Sequence, residues 1–171
     1  MKKLMMIFFG LLAVSAWAKP VTVKPQQLVG NWSCSGEHYD KEMGFYAKGH
    51  ERIQIQADGA FSDEGETSLK EAEKAPYVLN YRAKSEGKWS LENNILTRKI
   101  RFLTFERIHQ AEAVQDDGLQ FIDKVMFILF SKMIQNKIEQ TEKYTVHLKN
   151  TDTILWRDTK DGLTLHCKRD K

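Results

Sequence analysis

The 171-residue chain has only two cysteines and three prolines. No C-x-x-C pair occurs, so the local dithiol of a redox centre is missing. No two of the five histidines sit at i, i+2 or i, i+4, which removes a local metal pair. Glu37-His38 beside Cys34 is the nearest approach to a soft-metal site, and a bridged cysteine there would be a poor ligand. Ser33 and Ser35 lack a G-x-S-x-G elbow, and there is no Gly-rich phosphate loop and no H-E-x-x-H. Asp63-Glu64-Gly65-Glu66 lacks the spacing of a calcium loop. The missing nucleophile–base arrangement argues against catalysis, although scattered residues can also assemble a site. No metal and no cofactor are expected.

Charge of one sign is scarce too. The 26 Lys and Arg against 23 Asp and Glu include Lys2 and Lys3, which precede an apolar run from Leu4 to Val14. Ala16-Trp17-Ala18 then offers the small residues of a cleavage site before Lys19. Residues 1–18 therefore read as a cleaved secretion signal and 19–171 as the mature domain. The apolar run is too short for the roughly 20 residues a membrane-crossing helix needs, so no stable span is expected after processing. Without Lys2 and Lys3, 24 basic residues face 23 acidic ones, a net charge of +1. That leaves no field to hold a polyanion, and nucleic-acid binding is not expected. Asn31-Trp32-Ser33 satisfies the glycosylation sequon, which matters only in a eukaryotic secretory pathway; the Met1-Lys2-Lys3 start has a bacterial look. The expected location is periplasmic or secreted.

Export makes the cysteines informative. An even pair in an oxidising compartment, Cys34 and Cys167, reads as one disulfide tying the first strand to the last. Closing a loop of 133 residues is worth about 5 kcal/mol in the chain-entropy model.

From residue 19 the chain shows short strands between turn signals. Trp32 and Cys34 share a parity, as do Ile53 and Ile55 before the hairpin pair Asp58-Gly59. Ser62 to Glu73, acidic and rich in small residues, reads as a solvated loop. Pro76 opens a strand with Tyr77, Leu79, Tyr81 and Ala83 on one face, and Gly87 to Leu91 carries Trp89. In Ile95 to Ile108, Leu96, Ile100 and Phe102 take one parity and Leu103 and Phe105 the other. A strand apolar on both faces is either covered or bent by a bulge. Asp116-Asp117-Gly118 closes this run, and the pattern changes. The polar residues Gln120, Lys124, Ser131 and Gln135 fall on one helical face, which predicts a helix over 119–135. Val125 to Phe130 also fits a buried strand, and the residues alone leave both readings open. At the end, Tyr144, Val146 and Leu148 alternate with polar residues, and Leu163, Leu165 and Cys167 face one way.

About eight strands at hairpin spacing, stapled end to end, predict a mainly β fold: one antiparallel up-and-down barrel with a single inserted apolar helix. Here the residues carry a resemblance. Gly30-Asn31-Trp32, Asp58-Gly59 and Gly87-Lys88-Trp89 resemble the G-x-W openings and "dG" hairpin of lipocalin-like domains in bacterial secreted proteins. The resemblance implies that Gly30 and Trp32 close the barrel floor and that an arginine near the last strand, Arg157 or Arg169, packs across the tryptophan. The chain departs from that family in its helix, which precedes the last three strands instead of following them.

Two functions are expected. One is a barrel holding a small apolar or amphipathic ligand, with Leu79, Tyr81, Trp89, Phe102 and Phe127 as cavity candidates. The other is a solid-barrel envelope protein that docks a protein partner through its loops or the 119–135 helix. That helix could cap one mouth as core, Phe127 and Leu129 filling the opening; it could be a lid over a cavity; or it could meet a membrane surface or partner.

Overall fold

A computed structural model describes residues 22–40, 44–110 and 114–171. The expected signal and its Ala18/Lys19 cleavage point lie outside these residues. Eight antiparallel strands close in sequence order: β1 (Gly30–Asp40), β2 (Phe45–Ile55), β3 (Ala60–Lys70), β4 (Leu79–Glu92), β5 (Ile95–Arg107), β6 (Glu139–Asn150), β7 (Thr153–Asp158) and β8 (Thr164–Arg169). A one-turn helix, α1 (Pro25–Leu28), precedes β1, and α2 (Asp117–Gln135) joins β5 to β6. The fold is the mainly β up-and-down barrel that the pattern predicts.

Turn chemistry sets the register. Asn93 and Asn94 both take left-handed backbone (φ 50° and 62°), matching the twist of the β4–β5 hairpin. Asp58 Oδ1 accepts from the Ala60 amide at 3.0 Å and holds the β2–β3 turn.

The floor is closed from the N-terminal side. Leu28 is fully buried, and its carbonyl accepts from Trp32 Nε1 at 2.7 Å. The Arg169 guanidinium lies 4.2 Å above the Trp32 ring and donates to the carbonyls of Val29 and Gln27. Gly30 takes φ +133°, a backbone that L side chains rarely adopt, and a Cβ there would stand 2.3 Å from Arg169 Nη1 and displace the guanidinium. Cys34 and Cys167 face each other across the β1–β8 seam, fully buried and bridged.

Several segments depart from the sequence pattern. Ser62 to Glu73 is not a loop: most of it is β3, paired along its length with β2 and β4. Its inward positions include Asp63 and Gly65, so no apolar alternation marks it. Tyr77 precedes β4, which begins at Leu79 and runs without a break through Trp89. Gly87 allows this continuity, since a Cβ there would come within 1.8 Å of the Lys99 carbonyl oxygen. Asp116 closes the strand run as the cap of α2, accepting from the Leu119 amide at 2.8 Å. Residues 125–130 are helix, not strand.

The two-faced β5 is both bent and covered. Lys84 pairs with Thr104 and Ser85 with Phe102, leaving Leu103 as an extra residue. This bulge turns Leu103 outward and brings Phe105 to the inner side with Phe102. There Phe130 of α2 meets both rings, stacked on Phe105 at 4.2 Å and edge-on to Phe102 at 4.8 Å. Phe127 and Leu129 do not fill the mouth, as their side chains are partly exposed; Leu119, Asp123, Met126, Phe130 and Met133 form the inner face instead.

Candidate functional site: a barrel cavity with a charged floor

Between the core under Trp32 and the aromatic layer under α2 lies a partly open cavity of about 290 Å³. Small residues at inward positions make the space: Gly49 on β2, Gly65 on β3, Ala83 and Ser85 on β4. Its apolar wall is Tyr81, Phe102, Phe105, Phe130 and Met126, with Ile100, Leu163 and Leu165.

The opposite wall is charged. Arg98 points inward between Leu96 and Ile100 and is only 3% exposed. It forms an ion pair with Asp63, stands 3.6 Å from Glu51 and 3.9 Å from Glu142, and lies 4.7 Å over the Phe61 ring. Ser85 donates to Asp63 at 2.5 Å, and Tyr144 donates to Glu142 at 2.7 Å. Burial opposes the Arg98 charge, but Glu51, Glu142 and Asp63 more than offset it and hold the guanidinium protonated. Burial also pushes the Tyr144 phenol up, with Glu142 adding to the effect.

Glu51 keeps 23% of its side chain exposed, toward the barrel interior where its strand parity points it. Desolvation pushes its pKa up to about 7, against the pull of Arg98. A carboxyl whose folded value lies above its ordinary 4.5 contributes stability that is full below 4.5 and lost as pH rises through 7. Glu51→Gln should therefore raise the urea midpoint at pH 8 and leave it nearly unchanged at pH 4. Equal shifts at the two pH values would refute this account.

A second polar group pins α2. Asp123 of α2 accepts from Tyr81 Oη and Arg107 Nε, both at 2.9 Å, and His109 Nε2 stands 3.4 Å away. His109 is oriented by the Asn80 amide, which donates to Nδ1 at 2.9 Å. Burial and Asp123 push the Tyr81 phenol above its ordinary value. An inward aspartate on an apolar helix ties α2 to β4 and β5 in one arrangement.

Of the five cavity candidates, Tyr81 and Phe102 line the space. Leu79 is fully buried in the packed layer beneath α2. Trp89 packs against the floor core and donates to the Gln56 carbonyl at 3.0 Å. Phe127 is 37% exposed, with the Arg107 guanidinium 4.5 Å above its ring. Sequence reasoning passed over Glu51, Arg98 and Glu142, and took Asp63 only as part of an acidic run without calcium-loop spacing. Their signal was a charge on the apolar parity of a strand: Glu51 shares it with Ile53 and Ile55, and Glu142 with Tyr144 and Val146.

No protein-family model and no curated protein matches this chain. Among solved structures, it is similar to a redesigned β-barrel, mFAP1, bound to DFHBI, at 12% identity and a TM-score of 0.36, over 85% of this chain and 97% of that one.

Proposed function

We propose that this is an exported, lipocalin-like, non-catalytic protein whose barrel holds a small amphipathic molecule. The observation that carries the reading is the cavity of about 290 Å³, at the lower end of the range for small-molecule sites. An eight-stranded barrel can be filled by its own side chains, and here glycines and alanine at facing inward positions keep the middle open. The G-x-W floor with Arg169 across Trp32 supports the lipocalin likeness. The Cys34–Cys167 bridge supports an oxidising compartment, and with it the reading of residues 1–18 as an export signal.

Native mass spectrometry of protein purified without detergent tests this. A mass excess that disappears on denaturation is the expected result. A bare monomer mass, together with failure to take up any small amphiphile, would overturn the reading.

A second reading, docking of an envelope partner, rests on the outer face of α2. Phe121 (68% exposed), Val125, Ile128 and Leu129 stand together there at helical spacing.

A further inference from the structure

The charged wall is out of balance. Asp63, Glu51 and Glu142 converge on one guanidinium, so the ionised cluster carries two more negative charges than positive ones. With Glu51 protonated, a surplus of one remains. The hydrogen bonding is incomplete as well: Glu51 Oε1 accepts no hydrogen bond, its nearest cation being Arg98 Nη1 at 3.6 Å, and Arg98 Nε donates none. An acceptor without a hydrogen bond and excess negative charge stand at one end of a cavity whose other end is aromatic; these two, and not the Arg98 Nε donor, are what a cation would complete. A buried cluster in this condition is costly unless something completes it.

We infer that the ligand is a cationic amphiphile, an organic amine whose protonated head lies against Glu51 and Glu142 while its apolar body lies against Phe102, Phe105 and Phe130. The inference deepens the proposed function and rests on it. An ammonium supplies both the missing charge and a donor for Glu51, and charge-assisted hydrogen bonds of this kind are the stronger ones. A carboxylate or phosphate head would face three carboxylates for one guanidinium. A metal ion fits less well, because no group of three His, Cys, Asp or Glu among the described residues is placed to hold one.

The groups facing Glu51 are Arg98 from β5, Asp63 from β3, and Glu142 and Tyr144 from β6; β1 and β8 offer only the bridged Cys34 and Leu165. Because burial pushes Glu51 up to about 7, amine binding should weaken as pH falls from 8 to 6.

Calorimetry with octylamine, octanol and octanoate separates the possibilities, since the three share one apolar body. At pH 8 octylamine is expected to bind at least about tenfold more tightly than octanol, with octanoate weakest. The double variant Glu51→Gln, Glu142→Gln should bring octylamine to within about threefold of octanol while octanol binding persists. Should that variant not fold, the wild-type ranking and its pH profile decide the matter. Equal binding of octylamine and octanol, or tightest binding of octanoate, would overturn the amine inference and leave the cavity reading standing. Binding of none of the three would overturn both.

Discussion

Replacing Arg98 with methionine is expected to cost about 3 kcal/mol of stability, because it strands Asp63, Glu51 and Glu142 together inside the barrel. Methionine fills a comparable volume, so the loss should report charge and not a void. Arg98 and Asp63 are both almost shielded from solvent, which keeps screening small. The pH dependence carries the diagnosis. Without the guanidinium, Glu51 loses the charge that opposes the effect of its burial, so the variant should recover stability as pH falls from 8 to 5. Combining Arg98→Met with Asp63→Asn, Glu51→Gln and Glu142→Gln should restore much of what the single change removes. Urea midpoints for the three proteins at both pH values provide the check. A single-variant loss below about 1 kcal/mol would mean that the cluster is solvated in the resting protein.

Removing the bridge, as Cys34→Ser with Cys167→Ser, should cost about 2–5 kcal/mol. The seam it spans is short: β1 pairs with β8 only from Trp32–Arg169 to Ser35–His166, whereas with β2 it pairs from Gly30–Ile55 to Asp40–Phe45. Closure of the barrel at this seam therefore leans on the covalent link and on Arg169 over Trp32. Urea titration of the wild type with and without reductant should reproduce the loss. Amide exchange should rise first in β8, whose paired positions with its two neighbours are fewest. A reduced protein of unchanged midpoint would show that the floor core alone holds the seam.

The two sites differ in how openly the sequence announced them. Trp32, Cys34 and Cys167 could be placed from parity and from the expectation of an oxidising compartment, because apolar side chains on alternating positions demand one buried face. Helix over strand at 125–130 needed the neighbours: Phe130 stacks on Phe105, and Asp123 meets Tyr81 and Arg107, contacts that no local pattern contains. The β5 bulge was foreseen as one of two remedies, and the structure uses both, with Leu103 turned out and α2 laid across the inner rings.

While the floor motif came from the resemblance of Gly30-Asn31-Trp32 to lipocalin-like openings, strand count, antiparallel closure and the bridge followed from the chain itself, each written in short-range periodicity or in a pair of residue types. The cavity and its charged wall did not. They arise where β2, β3 and β4 place Gly49, Gly65 and Ala83 together, and where charges on four strands converge on one point. Within any single strand, a glycine or glutamate reads as weakness in the alternation. Only the closed barrel, by bringing strands distant in sequence around one axis, turns those separate weaknesses into one space with one surplus of charge.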